Sequence, residues 1–236
     1  MRFGITQPAA CSYLADQQEQ LLVFAEEETE LGRRYAQLIQ AGFRRSGDQI
    51  YRPHCPLCQA CESIRLPVSE FQPSRSQRRL LKKNAALRSV FTRTAGTDYY
   101  PLYARYINER HADGTMYPPS PEQFEGFIHC TWNPPAFVEA YDGETLIAVA
   151  VCDVLDDSTS CAMSALYTFF NPDYGHASLG TWMILQQIHH AQEQGMKYVY
   201  LGYQVDSCQK MAYKADFFPH ERFRHHQWHR VDKKNR

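Results

Sequence analysis

No stretch of about 18 consecutive apolar residues occurs in the 236-residue chain, so no transmembrane helix is expected. Met1-Arg2-Phe3-Gly4 leads into Gln and Pro rather than an apolar run, so a secretory leader is not expected either. With no sign of an oxidising compartment, the eight cysteines argue for thiols or metal ligands rather than disulfides. Repeats and low-complexity tracts are absent, and no Ser-His-Asp or Cys-His nucleophile arrangement is evident. Acidic residues are missing altogether from Phe71 to Thr97. What is there is an ordinary globular composition, 44% hydrophobic with a net charge of −1. The length suits one domain or two intimately packed halves.

The small net charge hides a segregated distribution. Asp16, Glu19, Glu26, Glu27, Glu28 and Glu30 make an acidic N-terminal block. The acid-free window carries Arg75, Arg78, Arg79, Lys82, Lys83, Arg88 and Arg93, and the end from Arg222 to Arg236 is basic again. Such segregation lets a near-neutral protein bind polyanions. The bland reading of the basic run is a solvated helix face, the usual fate of Lys and Arg. Against it, these cations lack the acidic i,i+4 partners that a solvated helix tends to carry.

Periodicity places the elements. Leu21–Phe24 reads as a buried strand, and Thr29 as the cap of a helix running to Ala41, with Gly42 as its stop. Ser46-Gly-Asp48 between two short strands has the form of a hairpin. Ile64–Val68 is a strand, Ser74 or Ser76 opens the basic helix, and Val90–Thr94 is a strand. Asp98–His111 is a helix, and Ser120-Pro-Glu-Gln123 caps another. Phe137–Tyr141 turns through Asp142-Gly143 into Leu146–Val154. Asp156–Ser158 turns again into Cys161–Phe170, followed by a loop from Asn171. Leu179–Gln194 is a helix ended by Gly195, and Lys197–Leu201 is a strand.

Cys55, Cys58 and Cys61 stand at two-residue gaps after Tyr51-Arg-Pro-His54. Soft thiolates on such short loops can face one metal centre, zinc or an iron–sulfur cluster, with His54 as the local fourth ligand. The alternative is packed, reduced thiols at a tight corner. Cys130, Cys152, Cys161 and Cys208 lie in or beside apolar segments and read as core or lining residues.

The order of Tyr51-Arg-Pro, the clustered cysteines and Pro73-Ser-Arg-Ser-Gln-Arg-Arg79 resembles the arginyl-tRNA–protein transferase family, and within it the bacterial aspartate/glutamate leucyltransferases. Arg110-His-Ala-Asp-Gly-Thr-Met116, Tyr200-Leu-Gly-Tyr203 and Cys208-Gln-Lys-Met-Ala-Tyr-Lys214 continue the resemblance over nearly the whole chain. It implies an α+β protein. Its C-terminal half has the acyltransferase fold of GCN5-related N-acetyltransferases, and an α/β N-terminal region packs intimately against it. The expected division is 1–70, with the cysteine cluster, and 71–236, with the basic helix. Phe169-Phe-Asn-Pro-Asp173, Ser178-Leu-Gly180 and Tyr198–Tyr203 carry the fold match. The Gly-x-Gly pyrophosphate loop is missing, since Gly175 and Gly180 are five apart, which fits an aminoacyl-tRNA donor better than acetyl-CoA.

The activity so implied moves leucine from Leu-tRNA onto proteins with N-terminal Asp or Glu, in the cytoplasm, within the N-degron pathway. The chemistry requires no cofactor. Arg75, Arg78, Arg79, Lys82 and Lys83 are the expected tRNA contacts. Lys210 and Lys214, four apart and so on one helix face, are expected to hold the acceptor carboxylate, with Arg110 as substitute. Gly180 and the Tyr203 hydroxyl are the oxyanion candidates. Asp206, Asp113 and His111 are the nominees for general base. The resemblance suggests Cys11 as the partner of the three clustered thiols. Three other readings stay open at this point: transfer from Arg-tRNA, an acyl-CoA-dependent N-acyltransferase, and a non-catalytic tRNA-binding or metal-sensing module.

Overall fold

The computed structural model describes residues 1–114, 116–157 and 160–233. The chain begins with β1 (Phe3–Ile5), β2 (Ala9–Ala10), β3 (Gln18–Glu19) and β4 (Leu21–Phe24), then α1 (Glu28–Gln40). β5 (Arg44–Ser46) and β6 (Gln49–Pro53) form the expected hairpin, closed by Gly47 at φ 56°. β7 (Glu62–Pro67) precedes the basic helix α2 (Arg75–Lys83) and β8 (Arg88–Thr92). Then come α3 (Tyr99–Arg110), α4 (Pro121–Ile128), β9 (Ala136–Asp142), β10 (Thr145–Asp157) and β11 (Ser160–Phe170). α5 (Leu179–Glu193), β12 (Tyr198–Gln204), α6 (Gln209–Ala212), β13 (His220–Arg224) and β14 (Gln227–Val231) complete it.

Eight strands form one sheet in the order β14-β13-β7-β12-β11-β10-β9-β8. Only β11 and β12 among them run parallel. Alternation along the strands explains how both faces are covered. Ala148, Ala150 and Cys152 of β10 point to the core under α5, with Leu179, Met183 and Ile188. Val149 and Val151 point to the opposite face, where Tyr99, Tyr103 and Ile107 of α3 pack with Phe137 and Phe169. α1 lays Leu31, Tyr35, Leu38 and Ile39 over Leu155, Ala162 and Tyr200. A small sheet, β1-β4-β6-β5, lies with α1, and β2 pairs β3. The molecule is thus a mixed α/β protein built on a large sheet.

Several local readings are corrected. Thr29 is inside α1, whose N-cap is Glu27 with no side-chain cap bond. Ser74, not Ser76, caps α2, through a full capping box with Gln77. The segment after Asn171 is a short 3-10 helix, Pro172–Ala177, because the Asn171 side chain accepts from the Asp173 N–H and Pro172 presets the first turn. Asp156 and Asp157 belong to β10 and pair with Cys161 and Ser160; the turn tip lies outside the described residues. α6 is a single turn that passes into a 3-10 turn, Tyr213–Asp216, so Lys210 and Lys214 do not share a helix face.

Candidate functional site

The parallel pair β11/β12 holds register only at Ala162/Tyr198, Met163/Val199 and Ser164/Tyr200. Beyond that point β11 stays with β10 and β12 stays with β7. The two strands therefore splay at their C-terminal ends. The register of β12 against β7 slips between Tyr200 and Tyr203, where Gly202 takes φ 86°. A β-carbon there would lie 3.5 Å from Arg44 Nη2 and 3.6 Å from Lys214 Nζ. Both cations stand against the Gly202 backbone at the splay.

Arg44 arrives through the hairpin. Its neighbour Arg45 is fully buried and donates Nε and Nη2 to the two carboxylate oxygens of Asp153 at 2.8 and 2.7 Å. The Tyr35 hydroxyl donates to the same carboxylate. This pairing fixes one face of β5. Alternate residues leave a strand on opposite sides, so Arg44 is sent the other way. Its Nη2 donates to the carbonyl of Ala165, the first residue past the paired segment. Arg44 is 6% exposed, and its Nη1 has no hydrogen-bond partner among the described residues. The Ser164 hydroxyl, at the last paired position, is also buried without one.

Lys214 is 8% exposed and donates to the Tyr203 carbonyl at 2.7 Å and to Met211 Sδ at 3.2 Å. Burial, reinforced by Arg44, lowers its ammonium from the ordinary lysine range to about 7. Tyr203 is buried too, and its hydroxyl lies 3.1 Å from the Gly42 carbonyl and 3.3 Å from that of Tyr51. Burial raises that phenol well above its usual range.

The other sequence candidates fall into three places. Lys210 is exposed and faces Asp113 at 3.7 Å. His111 accompanies them, its ring nitrogen 3.0 Å from the Tyr106 hydroxyl, and burial followed by Lys210 lowers its pKa. Arg110, exposed at the end of α3, acts on the same ring electrostatically. So the α3 terminus meets α6 at the surface, while Lys214 turns inward. Asp206 accepts from Arg222 at 3.0 Å and Gln204 at 3.1 Å. Burial works against its charge, but those two bonds prevail and hold it below the usual carboxylate range. It is an ion-pair partner and a weak base. Gly180 lies in the first turn of α5, half-buried, 3.8 Å from Phe170 by its missing β-carbon.

α2 presents Arg75, Arg78, Arg79, Lys82 and Lys83 to solvent. None makes an ion pair among the described residues; Arg78 donates to the Pro73 carbonyl at 2.6 Å and Lys83 to that of His176 at 2.8 Å. Two cations in the first turn oppose the helix dipole, a placement an anionic partner would reverse. Arg75 and Arg79 line a cavity of about 650 Å³ together with Thr181 of α5 and the exposed ring of Tyr213.

Cys11, Cys55, Cys58 and Cys61 line a second cavity of about 1070 Å³, with Tyr13, Tyr51 and Tyr203. Burial, then the neighbouring thiols Cys11, Cys55 and Cys58, push Cys61 up to about 12. Among the described residues no group of three or more His, Cys, Asp or Glu side chains converges as a metal's ligands do. Cys130 and Cys152 are buried and Cys161 and Cys208 half-buried.

Arg44 escaped the sequence reading. The signal that could have found it is Gly202, a glycine inside a strand, which marks a bulge or a close approach.

The chain belongs to the arginine-tRNA-protein transferase family. The models of that family's N and C termini match residues 9–79 and 98–224. A protein of Pseudoalteromonas atlantica named aspartate/glutamate leucyltransferase is 49% identical over all of both chains. Namesakes from Aeromonas hydrophila, 46% identical over 99% of this chain and 97% of that one, and Shewanella putrefaciens, 50% over 92% and 91%, agree. Among solved structures, the C-terminal domain of a putative lysylphosphatidylglycerol synthetase from Agrobacterium fabrum is 12% identical at TM-score 0.46. The match covers 73% of this chain and about half (51%) of that one.

Proposed function

We propose that this protein is an aminoacyltransferase that moves leucine from Leu-tRNA to the N-terminal Asp or Glu of acceptor proteins. Full-length identity of about half to proteins of that name is the observation that carries it. The geometry supports the reading: parallel strands that part at their C-terminal ends beside two buried cations, and a basic helix whose cations make no ion pair among the described residues. The splay and the following helix α5 also support a GCN5-related N-acetyltransferase-like fold for 71–236, packed on an N-terminal region, 1–70, with β7 shared into the large sheet.

The reaction is aminolysis of an ester already activated by the tRNA. The neutral α-amine attacks the ester carbonyl carbon; a C–N bond forms, the C–O bond to the ribose breaks, and the amine's surplus proton passes, directly or through water, to the departing ribose oxygen. An α-amine has a pKa of about 7.7–8.0, so part of it is neutral at cell pH. Positioning supplies the acceleration. Gly180, in the first turn of α5, places backbone N–H groups where oxyanion charge develops. Arg75, Arg78, Arg79, Lys82 and Lys83 bind tRNA phosphates, and Lys214, buried at the splay, serves the acceptor, while Lys210 beside Asp113 and Arg110 stand apart at the surface. The donor places the enzyme in the cytoplasm, and the product is a destabilising N-terminus in the N-degron pathway. Among the described residues no helix is long and apolar enough to cross a membrane. A zinc or iron–sulfur centre would require the four thiols to close up from their present arrangement; metal analysis of the purified wild type against Cys58→Ser checks it.

The test offers Leu-tRNA with peptides beginning in Asp, Glu, Asn and Gln. Transfer to Asp and Glu, at least tenfold above Asn and Gln, is expected. Equal transfer to all four contradicts the acceptor assignment.

A further inference from the structure

We infer that Arg44 is a specificity-determining residue of this site, and that its guanidinium clamps the side-chain carboxylate of the acceptor's N-terminal Asp or Glu together with Lys214. The inference rests on the functional reading above and deepens it.

Arg44 and Lys214 are two buried cations side by side against Gly202. Their polar contacts are carbonyls and one thioether: Ala165 for Arg44, Tyr203 and Met211 for Lys214. No carboxylate pairs with either among the described residues. The other deeply buried arginines contrast with this. Arg45 has Asp153, Arg65 has Glu221, and Arg222 has Glu62 and Asp206. Removing a cation from water is costly unless a counter-ion is supplied, and leaving two uncompensated near each other compounds the cost. Arg44 Nη1, buried without a partner, is the atom that a counter-ion would satisfy.

The position selects the anion. The cations stand at the strand splay, beside Tyr203 and next to Tyr51, the residue opposite Arg44 in the β5/β6 register. Tyr51 and Tyr203 also line the larger cavity, which leads to the surface. The reaction brings one anion obligatorily to the transfer point: the carboxylate beside the acceptor amine. A guanidinium fork and an ammonium discriminate carboxylate from amide by charge, since Asp and Asn have the same shape. A site built round an ionic partner is left with unpaired charge when that partner is missing.

Burial and Arg44 bring the Lys214 ammonium down to about 7, and its titratable neighbours are Arg44, Cys208 and Cys61. A carboxylate arriving beside it favours the ammonium, so binding draws in a proton. An amide does not.

The experiment measures kcat and KM for leucine transfer to Asp- and Asn-initiated peptides in wild type, Arg44→Met and Arg44→Lys. Folding is checked by melting temperature. Proton uptake on binding each peptide is read by calorimetry in two buffers of different ionisation heat. The clamp predicts that Arg44→Met lowers the Asp/Asn ratio of kcat/KM at least tenfold, mainly through KM for Asp, with Asn little changed. Arg44→Lys, which keeps the charge and a donor for the Ala165 carbonyl, falls in between and decides the matter if Arg44→Met does not fold. Wild type takes up a proton with the Asp peptide only. A folded Arg44 variant that keeps the wild-type ratio overturns the clamp alone, as does equal proton uptake for both peptides. A wild type that transfers leucine to neither peptide removes the functional reading and the occupant with it.

Discussion

Arg44 and Arg45 are adjacent, and the pleat gives them opposite tasks. Arg45 locks the hairpin to the sheet through Asp153, both side chains fully buried. Asp153→Asn leaves a buried cation short of its counter-ion and is expected to cost about 3–5 kcal/mol of stability by denaturant titration. A loss under about 1 kcal/mol would show that the pair does not anchor β5. Gly202→Ala places a side chain at φ 86° and is expected to cost about 1–2 kcal/mol. Lys214 gives stability a pH dependence of definite sign. Its folded pKa, about 7, lies below that of a lysine in the unfolded chain. From about pH 7 up to the ordinary lysine range, the unfolded chain holds a proton that the folded one has released. Stability therefore rises with pH across that window, and the penalty is fully present below it. The melting-temperature difference between wild type and Lys214→Met should grow in favour of wild type from pH 6.5 to 9. A constant difference contradicts the assignment. None of this was legible from residue type, because burial of Arg44 and Lys214 depends on strands far apart in sequence.

Elements were easier to read than contacts between them. The basic helix was announced by its missing acids, and its cap follows from Ser74 and Gln77. The paired reading of Lys210 and Lys214 failed because one turn of α-helix gives way to a 3-10 turn, which swings one lysine out and the other in. Spacing cannot show that break. For α2 the expected outcome is electrostatic. Arg78→Ala and Lys82→Ala should each weaken tRNA binding and lower the slope of log affinity against log salt by about 0.7–0.9. An unchanged slope would return the helix to a solvated face.

At the scale of the molecule, the hairpins and most central elements along the chain followed from alternation and turn residues, but the order of strands in the sheet, the final pair β13/β14 and sheet membership did not. β7 comes from the cysteine-bearing half and yet sits between β13 and β12. The clustered thiols were readable as neighbours, and Cys11 does line the same cavity. The whole assembly turns on one claim, that leucine from tRNA is joined to an acidic N-terminus. The direct measurement gives an Asp-initiated peptide and the enzyme a mixture of Leu-tRNA, Arg-tRNA and acetyl-CoA, and reads the product by mass spectrometry. A peptide heavier by one leucine residue on its α-amine is the expected product. A peptide carrying arginine or an acetyl group instead would contradict that claim.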